Sequence, residues 1–164
     1  MDAPLHADVE LWGRLLLGRW VGEGEGVYPT IERFRYREEV VLGHVGKPFL
    51  AYRQATVNLA TGLPAHAEAG YLRGVGPGRV ELVLAHPSGI AEVADGTVSV
   101  TPAAGGVSLH LRSTDVTRTP TAKQVDTVER TITVEGDTLH YTLLMGAVGE
   151  PHQLHLTATL HRTD

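Results

Sequence analysis

The chain has 164 residues, a formal net charge of −5 and only 14 lysines and arginines, spread without a run, which excludes the basic footprint of a nucleic-acid binder. It has no cysteine, so disulfides, thiolate-bound metals, iron–sulfur clusters and a cysteine nucleophile are excluded as well. Apolar residues at 42% and charged residues at 20% are ordinary for a folded soluble chain, and residues 1–164 fit one domain at roughly 100–200 residues per domain.

The first ten residues, "MDAPLHADVE", carry an acid where a signal peptide carries basic charge, and no apolar h-region follows. No stretch approaches the roughly 18–20 apolar residues of a membrane span, so a cytoplasmic protein without a membrane partner is expected. Asp8 is the expected cap of a helix in which Val9, Leu11, Trp12, Leu15, Leu16 and Leu17 recur at helical spacings before Gly18 ends it. The texture then changes to short β-rich runs near 19–27, 31–43, 49–58, 66–74, 79–86, 89–94, 97–101, 106–113, 123–134, 138–147 and 152–162. Between them lie the turn signals "LGHVGKP", "NLATGLP", "GVGPG", "HPSG", "ADG", "TPAAGG", "VEGD" and "GAVGEP". One short helix cannot cover the edges of about ten strands, whereas closure removes the edges. The expected fold is therefore all-β: an antiparallel barrel of about ten strands, of the fatty-acid-binding or lipocalin kind, with room for one small ligand.

The run "GRWVGEGEGVYPT" has glycine at alternate positions, Gly22, Gly24 and Gly26. Neither G-x-G-x-x-G nor G-x-x-x-x-G-K-[ST] fits, because Val27 takes the third glycine's place and Pro29 and a β-rich run follow. A nucleotide loop is excluded. On a strand, Trp20, the three glycines and Tyr28 share one face. Glu23 and Glu25 hold the other, and two ionised carboxylates will not face an apolar interior unpaired. The glycine face points inward, either as a trough for a flat ligand or as relief of crowding between strands. A G-x-S-x-G elbow is missing, and the carboxylates Glu38–Glu39 and Asp126–Glu129 read as outward or turn positions.

Of nine histidines, His44 and His86 sit near strand ends and read as turn residues. In "HQLHLTATLHR", Leu154, Leu156, Ala158 and Leu160 alternate against His155, Thr157, Thr159 and His161. Alternation alone puts the leucines inside and His155 outside. Zinc needs three or four protein ligands, and the H-x-x-H spacing of His152 and His155 puts two rings on opposite faces of a strand.

Taken together, "GRWVGEGEGVYPT", "HLTATLHR", "GKPFL", "ELVLAHPSG" and "PTAK" resemble, in order and position, the motifs of the nitrobindins over nearly the whole chain. The resemblance implies a ten-stranded barrel holding one b-type haem per chain in its mouth through a single axial histidine. It implies ferric iron, binding of nitric oxide and isomerisation of peroxynitrite to nitrate. Residue by residue, it implies His155 as metal ligand and catalytic centre, with Thr30 and Lys123 at the haem periphery and Gly22, Gly24 and Gly26 as one wall. His155 must then point inward against the alternation, with barrel and helix, or a second subunit in a homodimer, covering both faces. In lipocalin-like barrels the tryptophan of G-x-W stacks on a basic residue of the closing strand, here Trp20 on Arg162. The alternative function is a haem-free carrier of a small hydrophobic ligand or lipid.

Overall fold

The computed structural model describes residues 3–101, 103 and 105–163. Helix α1 spans Ala7–Leu16. Ten strands follow: β1 Gly18–Tyr28, β2 Ile31–Gly43, β3 Phe49–Asn58, β4 Pro64–Gly74, β5 Arg79–His86, β6 Ile90–Thr101, β7 Gly106–Arg118, β8 Val125–Glu135, β9 Thr138–Ala147 and β10 Glu150–Thr163. Each pairs antiparallel with the next, and β1 pairs with both β2 and β10, closing the barrel. Eight strands leave an interior that side chains just fill. Ten leave space over.

Two sequence expectations need correction. The runs 89–94 and 97–101 are one strand, β6, and "ADG" is no turn. Gly96 lies inside it because the backbone of β7 passes so close, at His110, that a methyl group would collide, which is what a glycine within a strand permits. A bulge at Val93–Ala94 accompanies it. The helix cap is His6, not Asp8: His6 Nδ1 accepts from the Asp8 amide at 3.3 Å. Asp8 instead adds negative charge to the first turn, where the helix dipole favours it.

Helix α1 closes one end of the barrel. Val9, Trp12 and Leu16 are buried in the same cluster as Leu50, Leu72, Val80, Val98 and Val107 from the adjoining strand ends. Arg162 fixes the helix there. Its guanidinium lies 4.1 Å from the Trp20 ring centroid, as expected, and donates to the carbonyls of Leu17 and of Leu15, the latter at 3.0 Å. A cation at a helix C-terminus meets carbonyls that have no intrahelical partner. The Trp20 indole N–H donates to the Leu16 carbonyl at 2.8 Å, so both members of the stacked pair hold the same helix end.

The glycine row faces inward and its glutamates outward, where Glu23 meets Arg35 at 2.7 Å and Glu25 meets Arg33 at 3.4 Å. The row is not an empty trough. The Leu160 side chain and β10 backbone cover Gly22, the Tyr36 ring covers Gly24, and the Phe34 ring covers Gly26. A methyl group at Gly22 would strike the Thr159 carbonyl oxygen and crowd Leu160 Cα, and backbone on a paired strand cannot step aside. Gly22→Ala is expected to cost about 3 kcal/mol of stability, the upper range for overpacking, read as a lower urea midpoint at unchanged slope.

Candidate functional site

A cavity of about 600 Å³ occupies the barrel between α1, whose Leu16 reaches it, and the opposite end, where the exposed residues His66, Ser88, Thr121 and Lys123 border it. Leu42, Leu72, Leu82, Leu84, Leu111 and Leu139 give it apolar walls. His155 lies in the wall near the open end, because β10 breaks the alternation there. Leu154 stands opposite Leu144 and Leu156 opposite Leu143, so β10 carries an extra residue at His155. A bulge re-aims a side chain in this way. Leu154, on its outer side, is 45% exposed, while Leu156, Ala158 and Leu160 continue into the core. No second subunit is needed to turn His155 inward.

The tautomer of His155 follows from its partner. Nδ1 lies 3.0 Å from the Val27 carbonyl oxygen, which can only accept, so Nδ1 carries the proton and Nε2 keeps its lone pair. The Tyr28 ring packs edge-on at 5.2 Å and is itself fixed, its hydroxyl accepting from the Ala147 amide at 2.8 Å. Burial pushes the His155 pKa down, against the raising effect of the Val27 carbonyl. The ring is a neutral, oriented donor.

The other expected site residues divide. Lys123 is exposed and borders the cavity. Thr30 is an exposed residue of the β1–β2 turn, outside the cavity lining. Gly22, Gly24 and Gly26 also lie outside the lining: Gly24 and Gly26 sit behind the rings of Tyr36 and Phe34, which do form it, and Gly22 sits against Leu160 and the β10 backbone. His44 is a turn residue, Nδ1 accepting from the Gly46 amide at 3.4 Å. His86 is not: it ends β5 with its side chain in the cavity wall. His152 bonds Glu129 at 3.1 Å and Thr127 at 2.9 Å, away from His155.

Nothing in the alternation of the strands announces a buried polar network in the barrel, running from β2 and β3 round to β8 and β9. Glu38, expected outside, is 1% exposed; its neighbour Glu39 takes the outward position and meets Arg19. Gln54 donates to Glu38 Oε1 at 3.0 Å, Tyr141 to Oε2 at 2.7 Å, and Tyr36 to Tyr141 at 2.8 Å. Burial raises the Glu38 pKa to about 7 despite these bonds. Beside it, Arg130 bridges Glu92 and, at 3.2 Å, Glu68, whose other oxygen accepts from Tyr52 at 2.8 Å. Burial pushes Glu68 and Glu92 up, but the Arg130 charge together with their hydrogen bonds outweighs it and holds both below the usual range. The signal for this wall was the spacing His66-x-Glu68, which puts both side chains on one face of a strand, with His86 closing the next strand.

Comparison with known proteins agrees with this architecture. Residues 14–162 match the family described as THAP4-like, heme-binding beta-barrel domain. The chain is 52% identical to a protein named peroxynitrite isomerase 2 from Mycobacterium avium over 162 residues, 99% of each chain. It is 55% identical to one of the same name from Mycobacterium marinum over 163 residues, again 99% of each. The crystal structure of Rv2717c from M. tuberculosis superposes with a TM-score of 0.93 at 49% identity, covering 98% of this chain and 100% of that one. The fold and site thus define an antiparallel haem-binding barrel. The chain belongs to this THAP4-like family, the nitrobindins, whose cofactor is haem. Among the described residues no helix is long and apolar enough to cross a membrane.

The raised pKa of Glu38 makes stability depend on pH. The folded carboxyl binds its proton more tightly than the unfolded one, so this contribution is full below pH 4.5 and is lost as pH rises through about 7. Glu38→Gln, a permanently neutral replacement, is expected to be more stable than the parent at pH 8, by on the order of 3 kcal/mol, with the gap shrinking toward pH 5. Paired urea melts at the two pH values measure it.

Proposed function

We propose that this chain is a ferric b-type haem protein that isomerises peroxynitrite to nitrate and binds nitric oxide, with His155 as the axial ligand. The observation that carries the reading is the bulged His155, whose Nδ1–H is committed to the Val27 carbonyl and whose Nε2 is therefore free for a metal. The residues suit the group: a single imidazole, an apolar slot and a rim cation are what such a haem requires. When bound, ferric haem supplies a Lewis acid with a coordination position open to a small anion.

The chain's own residues do the rest. The Val27 carbonyl fixes the tautomer and raises the basicity of the ligating nitrogen, as partners of metal-bound imidazoles do. Tyr28 limits rotation of the ring. Phe34, Leu143, Met145 and Leu156 keep water from its cavity side. Lys123 supplies positive charge at the mouth, suited to a propionate and to an approaching anion. Thr30, in the turn after Tyr28, is a rim residue at the periphery. Gly24 and Gly26 act through the rings of Tyr36 and Phe34 that they admit, and Gly22 through the close approach of β10. Isomerisation conserves atoms and electrons, so no second substrate is required.

The test is haem titration followed by peroxynitrite decay with nitrate yield. The parent chain is expected to develop an intense Soret band that shifts with nitric oxide, and to raise nitrate yield. His155→Ala should lose haem affinity by about 100-fold or more, beyond the range seen when only an outer partner of a ligand is removed. Normal haem binding and normal nitrate yield in His155→Ala would refute the assignment. A parent chain that retains a fatty-acid probe and gives no Soret band would instead be a carrier of small hydrophobes.

A further inference from the structure

The wall opposite His155 carries a second constellation. In the closed ring of strands, β4 and β5 lie on the far side from β10. There, His66 Nε2, Glu68 Oε2 and His86 Nδ1 form a triangle with edges of 3.2 Å between the imidazoles, 3.4 Å from His86 to Glu68 and 3.8 Å from His66 to Glu68. Ligands at the usual zinc distances subtend tetrahedral edges of about 3.4 Å. The triangle is close to one face of a zinc tetrahedron, and all three residues line the cavity. We propose that His66, Glu68 and His86 form a zinc site, separate from His155, with its fourth position open to the cavity.

Three independent features support it. The first is strand geometry: His66 and Glu68 share a face of β4, and His86 lies one step beyond the Ala69–Ala85 pair, directly across from Glu68. The second is an outer partner. Glu92 is 1% exposed, and its Oε2 makes no hydrogen bond among the described residues. That oxygen lies 3.4 Å from His86 Nε2. With metal on Nδ1, the proton of His86 is confined to Nε2 and points at this oxygen, the carboxylate–histidine–zinc arrangement. The third is charge. Two ionised carboxylates, Glu68 and Glu92, share one guanidinium, Arg130, leaving a net negative charge in a buried wall. Zinc compensates it. Arg130 and the metal can share Glu68 Oε2, since a carboxylate oxygen has two lone pairs.

Two imidazoles with one carboxylate and an open position are the donor set of a reactive zinc site and not of a closed structural one, in which four protein ligands are the rule. The ligand of the open position is water or a small anion. His66, with 41% of its side chain exposed against 10% for His86, is the point of entry from solvent. Ligation through Nε2 requires that His66 carry its ring proton on Nδ1.

The full-length chain tests this directly. Zinc is added, excess is removed by dialysis, and metal content is measured in haem-free and haem-loaded protein. Cobalt(II), added to the haem-free chain, reports geometry through its visible absorption. About one zinc per chain, with a tetrahedral cobalt spectrum, is expected for the parent and for His155→Ala. His66→Ala and His86→Ala should each weaken binding more than tenfold, and Glu92→Gln by about 10–100-fold. Glu68→Gln is avoided because it strips a partner from buried Arg130. His66→Ala lies at the exposed rim and should keep the parent's circular dichroism, so lost binding there is not lost folding. His110→Ala should leave binding intact; it removes an outer-face imidazole that meets Glu129, as His152 does. The proposal is overturned if the parent holds no zinc, if binding survives His66→Ala and His86→Ala, or if it disappears in His155→Ala or His110→Ala.

Discussion

The pairing of β1 with β10 is the contact on which the rest of this molecule depends. It closes the barrel, and closure leaves no unpaired edge among the described strands. The approach is close because Gly22 presents no side chain to β10. One end of the seam holds the helix, through Trp20 and Arg162, which are register partners. The other end holds the site: the carbonyl that orients His155 belongs to Val27 on β1. Fold, helix plug and candidate ligand thus share one ladder of hydrogen bonds, and a disturbance at any point of it reaches the others.

The barrel interior is chemically two-sided. Around His155 the walls are apolar and the imidazole is kept neutral by burial. Farther round the barrel lie two hydrogen-bonded groups, one of Glu68, Glu92, Arg130 and Tyr52, the other of Glu38, Gln54, Tyr36 and Tyr141, the last of these on β9. A buried network of this size stabilises only when nearly every member is satisfied. Here charge is divided between two ionised carboxylates on Arg130 and a third, Glu38, that is partly protonated near neutrality. Asymmetry of this kind gives a small polar occupant one preferred side of an otherwise greasy vessel.

Much of the architecture was legible in the residues. The outward turn of Glu23 and Glu25 follows from the cost of burying unpaired charge, and the Trp20–Arg162 stack follows from the G-x-W pattern and a basic residue on the closing strand. What failed did so for local reasons. The period-2 rule assumes unbroken pairing, so it put His155 outside; one extra residue on β10 reverses that, and nothing in "HQLHLTATLHR" announces the bulge. Glycine and aspartate in "ADG" resemble a turn, yet Gly96 serves the close passage of β7. Charge is normally outside, which argues for a solvated Glu38, yet the fold brings Gln54 and Tyr141 to it inside the barrel. Burial of a carboxylate is decided by partners distant in sequence, which a linear pattern cannot register.

The helix plug has a consequence for traffic. With α1 and its buried Leu16 blocking one end, the barrel is a blind sac, filled and emptied through the end that His155 guards. Whatever rests against Leu16 entered through that end, and a second guest nearer the mouth would follow it in and leave before it. The order of arrival then becomes a property of the fold.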